Sequence, residues 1–508
     1  MINYFSKFGK IFFLLLLIIP LLIIYNDSYF LLAYIYTAFS LFLVLNQKRK
    51  QINIITLTFL ILYLQSFFIP LYYYALFQKL DIWFEYINLD LLSSDKLAHI
   101  MFLINTTFIG SVFLSKFITP YENKLLSKIK LEVKDISFYT VNTIFNILIV
   151  LLILSSIYSI STYYSLGTTM YDHTNLNNFS RFILLIISPS QLTIVFFVYY
   201  FIALVNNYNV NRKAILVILI ISLSGMLIGT RSTLLIMLVT LFILFHYTIK
   251  INYKIYISFI KNRQKIIIIV LLLILVLIVT FYVATVLRVF LYREHEYASL
   301  LEMVSNEQYS SFKRIIARLS YIDVVSLLHE ANEKGYSLFD SSVLDKYFNI
   351  WYELKVALNM LVPGDIFPNA RLNLGELFRA AYFGASIDQI LEKHQSYVPT
   401  LNGYIFSKIY PYTSSLLYFL YFFGILSLFV SFTAIIYNIL YHIKCYAIIK
   451  IISLYLMYYL YHHLYILEGM GILIGILYQK IFLSLFVCAL VISIYKIIRR
   501  KEKYNYEQ

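Results

Sequence analysis

Charge is scarce in this chain: Asp, Glu, Lys and Arg make up 13% of 508 residues, against 61% hydrophobic and 18% aromatic residues. Mean hydropathy is +0.78. A soluble globule of this length has no use for that much apolar surface. Cysteine is nearly absent as well. Cys445 and Cys488 support neither a disulfide framework nor, on their own, a zinc site. A Walker-type phosphate loop is missing, which removes an ATP-driven pump. No internal repeat of fixed period and no low-complexity linker is visible, only a bias toward Ile, Leu, Tyr, Phe, Lys and Asn.

What fills the chain instead is a series of apolar runs. Each is about long enough to cross a hydrocarbon core of roughly 30 Å, and a span through lipid must close its own backbone hydrogen bonds as a helix. The runs predict twelve helices: 11–25, 29–45, 52–74, 97–118, 138–159, 181–205, 214–229, 232–249, 266–287, 413–440, 447–466 and 471–495. The first follows Lys7 and Lys10 like a signal-peptide core. It lacks small residues suited to cleavage and leads straight into a second run, so a retained anchor is expected. The fold class expected is an all-α polytopic membrane protein with one long, partly helical loop. Residues 1–287 would hold helices 1–9, residues 288–412 the loop, and residues 413–508 helices 10–12 with a basic tail.

The formal net charge of +15 invites a nucleic-acid reading, but its distribution argues against one. Lys48-Arg49-Lys50, Lys124 to Lys134, Arg212-Lys213, Lys250 to Lys265 and Lys496 to Lys503 all fall on one side of a twelve-span layout. The alternate connectors carry Asp27, Asp81 to Asp95, Asp172 and Glu468. By the positive-inside rule the basic side is cytoplasmic, with both termini. The long loop and the turn at Arg231 then face outward. The surplus cations act as topology determinants and attract anionic lipid, and no nucleic-acid partner is expected.

The turn Gly229-Thr230-Arg231-Ser232 stands where two apolar runs meet with almost no linker. A permanent cation there is costly unless it binds an anion; the alternative is a helix-end arginine reaching to headgroups. The loop looks folded. Ser311 to Glu333 has helical periodicity, with Arg314 and Arg318 four apart on one face. Gly335 is a stop, and a second helical piece is expected over Ser342 to Leu361. Pro363-Gly364-Asp365 and Pro368-Asn369 mark turns. A short helix over Leu374 to Phe383 would carry Glu376 and Arg379, and residues 394–411 are aromatic and turn-rich.

At the level of layout nearly the whole chain resembles the Wzy-type oligosaccharide repeat-unit polymerases, relatives of the O-antigen ligases. Gly229-Thr230-Arg231-Ser232 is similar to the Gly-Ser/Thr-Arg turn of that group. Arg318-Leu319-Ser320-Tyr321-Ile322-Asp323 resembles the Arg-to-Asp stretch opening its outer loop. Pro363 to Pro368 resembles its proline segment, and Val398 to Gly424 its aromatic return into the membrane. Two departures stand out. The ligase pattern that His394-Gln395 begins meets Ile405 where glycine belongs, and the Arg-x10-Gly repeat of some polymerases is absent.

The resemblance implies an inner-membrane glycosyltransferase of bacteria that makes O-antigen, as part of lipopolysaccharide, or capsule. It would move a growing glycan from undecaprenyl pyrophosphate to a new lipid-linked repeat unit at the periplasmic face. It would use no cofactor and no metal. Its partners would be the lipid-linked oligosaccharide, membrane lipid and a chain-length regulator protein. The chemistry suits arginine, which stays charged and grips phosphate bidentately as negative charge gathers on the leaving pyrophosphate. Arg231, Arg318 and Arg288 are the candidates for that role. His394 and Glu376 are candidates for the base that orients the acceptor hydroxyl. Arg314, Arg371, Arg379, Tyr397, Tyr404 and Trp351 are candidates for substrate binding. Blander alternatives stay open: Arg288 as an anchor, the loop charges as solvated helix faces, the aromatics as packing. The other functions are an O-antigen ligase and a lipid-linked oligosaccharide flippase or transporter. A carrier usually shows repeats and a midplane site, whereas this chain invests about a quarter of its length in one loop.

Overall fold

The computed structural model describes residues 28–45, 51–64, 68, 94–134, 136–166, 188–228, 240, 243–252, 351, 354, 355, 358, 367, 415–443, 447–466 and 483–497. Among these the regular structure is helical and no strand occurs. In chain order the helices are α1 (Ser28–Leu45), α2 (Ile54–Tyr63), α3 (Ser94–Ser115), α4 (Thr119–Val133), α5 (Phe138–Leu166), α6 (Pro189–Val205) and α7 (Asn211–Ile228). Residues 243–251 form α8, followed by α9 (Ser415–His442), α10 (Ala447–Ile466) and α11 (Leu483–Ile497). Two stretches, Met101–Val133 and Phe138–Thr162, are long and apolar enough to cross a membrane by length and composition.

The local causes are ordinary. Asn53 caps α2, its side chain accepting from the Thr56 N–H at 3.0 Å. Ser188 caps α6 the same way toward Gln191, with Pro189 in the first turn, where a missing N–H is harmless. Asn207 ends the α6 connection with φ 59, a left-handed conformation that asparagine tolerates better than other residues with a side chain. The Tyr208 N–H then closes the turn on the Ala203 carbonyl at 2.8 Å.

α1 lies along α3, α5 packs against α6 and α7, and α10 against α2. α9 runs beside α3 and α4 together. Its direction is parallel to theirs: Phe423 meets Gly110 on α3, and Tyr441 meets Lys124 on α4. A Cβ added at Gly110 would come within 2.6 Å of the Phe423 ring, so glycine permits this close approach. Tyr34, Tyr199, Tyr247, Phe145, Phe196 and Phe197 are among the largest side chains fully removed from solvent.

One connector differs from the sequence expectation. Residues 124–134 were expected only to link two spans, yet Thr119–Val133 is a helix in its own right. A 3-10 turn, Lys116–Ile118, joins it to α3, and Pro120 sits in its first turn. The reason is amphipathicity: Glu122, Leu125, Leu126, Ile129 and Val133 recur every three or four residues and are buried, while Lys124 and Lys130 stay exposed.

Candidate functional site

Most of the residues that sequence reasoning favours fall where no placement is described. Arg231, Arg288, Arg314, Arg318, Arg371, Glu376, Arg379, His394, Tyr397 and Tyr404 lie outside the described residues, as does Glu468. Trp351 is described: it is helical and 70% exposed. One turn on, the Lys355 ammonium sits 5.9 Å from the Phe367 ring centroid. An indole this open can meet a sugar ring, but nothing beside it in the described structure forms a pocket.

What the described residues do bring together is a polar layer where several basic connectors meet. Its centre is Glu122, fully buried in the first turn of α4. One carboxylate oxygen accepts from the Ile54 N–H at 2.9 Å, an orphan donor of the α2 N-terminus. The other accepts from the Lys250 Nζ at 2.6 Å, and both side chains are out of solvent. Next to it the Asn53 amide donates to the Ser115 carbonyl at 2.7 Å and to the Thr119 hydroxyl at 2.9 Å. The Thr56 and Ser115 hydroxyls are 2.7 Å apart. Three chain segments, 51–56, 115–122 and 250, thereby close on one another.

The layer continues. Lys450, fully buried at the start of α10, pairs with Glu132 of α4. The Asn206 amide donates to the Val133 carbonyl at 3.0 Å, which would otherwise be a free helix-end acceptor. Asn252 donates to the Val205 carbonyl at 3.1 Å and to the Asn207 side chain at 3.0 Å. Lys213 donates to the side-chain oxygens of Asn142 and Asn146 on α5, and its partial burial draws the ammonium below the usual lysine range. The Glu122–Lys250 and Glu132–Lys450 bonds set each buried lysine against a carboxylate, the arrangement that keeps a low-dielectric charge tolerable. They leave Glu122 and Glu132 engaged in joining helices.

Outside this layer, neutral side chains also bond between helices. Tyr63 donates to Asn105, whose amide donates to the Thr37 hydroxyl at 2.8 Å. Thr433 and Tyr461 are 2.6 Å apart, Thr240 donates to Tyr455 at 2.8 Å, and Ser484 donates to Gln191 at 2.9 Å. His462 and His463 fall within α10.

One groove opens on the outside of the bundle, with a volume of about 560 Å³, between the α3–α4 junction and α9. Phe117 and Tyr121 form one wall; Ser427, Ser431, Ala434 and Asn438 form the other. Sequence reasoning missed it, because its walls are some 300 residues apart. The available trace was the spacing of Ser427, Ser431 and Asn438 along an otherwise apolar helix.

No family model, curated protein or solved structure matches this chain.

Proposed function

We propose that this chain is a membrane-embedded glycan polymerase. It transfers a growing oligosaccharide from undecaprenyl pyrophosphate to a new lipid-linked repeat unit at the outer face of the bacterial cytoplasmic membrane. The observation that carries the reading is the Gly229-Thr230-Arg231-Ser232 turn between two apolar runs, together with a single long polar stretch at 288–412. An arginine at such a turn suits an anionic ligand, and the proposed ligand is the diphosphate of the donor. The course of α7 supports an outward Arg231. This helix starts at Asn211, beside the polar layer, and its 18 residues rise about 27 Å to Ile228, just before the turn.

In this reading Arg231, Arg288 and Arg318 stabilise the departing pyrophosphate, and His394 or Glu376 orients the acceptor hydroxyl. The sugar rings stack on Tyr397, Tyr404 and Trp351. The test is complementation of a gene deletion with Arg231→Ala and, separately, Arg318→Ala, scored on surface-glycan gels at matched membrane levels. Each variant is expected to abolish the ladder of long glycans or shorten it to single repeat units. Wild-type ladders from both would discard the site. Long lipid-linked glycan accumulating in the deletion strain would point to the ligase instead.

A further inference from the structure

We infer that the groove beside α9 is a binding site for an anionic phospholipid, seated with its headgroup at the polar end of the bundle. The inference rests on the membrane part of the preceding reading and is independent of any glycosyl transfer. The groove's α9 wall runs from Ser427 to Asn438, eleven residues or about 16 Å. That is close to the hydrocarbon depth of one leaflet, half of roughly 30 Å. The flanks are apolar and face outward: Phe113 is 58%, Phe117 70% and Phe432 55% exposed. An acyl chain would meet carbon along most of this length.

Two cations gather at one end. One turn beyond Asn438 the ring of Tyr441 carries two ammonium groups from α4, Lys124 at 4.3 Å and Lys128 at 5.6 Å from its centroid. A third, Lys116 in the 3-10 turn, lies 4.3 Å from the Phe113 centroid, toward the Ser427 end of the groove. Among the described residues the carboxylates engaged in ion pairs, Glu122 and Glu132, are bound to Lys250 and Lys450, and none is bound to these three lysines. A cation over a ring face keeps donors free for a second acceptor, and the Lys124–Lys128 pair at the Asn438 end of the groove fits a phosphodiester. The Asn438 and Ser431 side chains, both exposed on the groove, offer donors to a glycerol or ester oxygen. A zwitterionic lipid would bring its own ammonium against the lysines, so the site selects net negative charge.

The test uses the full chain in mild detergent, with dioleoylphosphatidylglycerol and dioleoylphosphatidylcholine as paired probes and native mass spectrometry as readout. The wild type is expected to retain the anionic lipid in preference. Lys124→Gln with Lys128→Gln should weaken retention about 30-fold, at roughly fivefold per surface lysine, with binding of the choline lipid unchanged. Ala434→Trp fills the groove and keeps the lysines; it should remove bound lipid while thermal unfolding in detergent stays cooperative. Equal retention of both lipids by the wild type would overturn the inference, as would wild-type retention in the double variant. Displacement by millimolar glycerol 3-phosphate would also overturn it, because it would mark a phosphate site without an acyl chain. None of these readouts depends on ladder formation. Failure of the lipid site therefore leaves the polymerase reading standing, and loss of the polymerase reading leaves the lipid site standing.

Discussion

The polar layer around Glu122 and the rest of the bundle join helices by different means. In the layer the central groups serve several partners at once. The Glu122 carboxylate holds both the Ile54 N–H and Lys250, and the Asn53 side chain caps its own helix while donating to Ser115 and Thr119. Away from the layer a bond such as Thr433 to Tyr461 or Ser484 to Gln191 involves two neutral groups. Removing one member of the first kind strands buried charge and backbone donors. Removing one of the second kind leaves a neutral group that finds another partner or stays bare at modest cost. The bundle is thus fastened tightly at the layer and loosely away from it.

The sharpest way to break this comparison is Glu122→Ala. It leaves Lys250 buried without a counter-charge and is expected to lower stability by about 3–5 kcal/mol. Denaturant titration in micelles would read this as an earlier unfolding midpoint. Glu122→Leu combined with Lys250→Met should recover part of that loss. A residue of about 1–3 kcal/mol would remain, because the Ile54 N–H loses its acceptor. Asn53→Ala removes a cap and leaves the Ser115 carbonyl short of a donor, for about 2 kcal/mol by the same titration. Thr433→Val should cost only about 0.6 kcal/mol, the usual size of a hydrogen bond between membrane helices. If Thr433→Val cost as much as Glu122→Ala, the contrast between the two regions would be gone.

Helices were largely legible from apolar runs. The runs at 29–45, 413–440 and 447–466 lie within two residues of α1, α9 and α10, because an apolar run of that length has one stable conformation. α4 was not legible that way. Its five buried positions are spread among lysines, so only the 3.6-residue period betrays it, and run length does not. The pairing of Glu122 with Lys250 was also hidden, since it depends on which helix ends meet. The lone carboxylates in the basic stretch 124–134 and just before it were the available clue. For the proposed catalytic set, sequence placed arginines by topology alone. Of those candidates and their aromatic companions, Trp351 is the residue with a described position, and it is exposed.

The Glu122–Lys250 pair spans 128 residues of chain and the Glu132–Lys450 pair 318. At a ribosomal pace of about 5–20 residues per second, the first carboxylate waits roughly 6–26 s before its cation has been synthesised. Until then α4 cannot be sealed against α2 without burying an uncompensated group. The early helices must therefore keep that acid wet. Arrival of Lys250 is the event that lets the first half of the bundle shut.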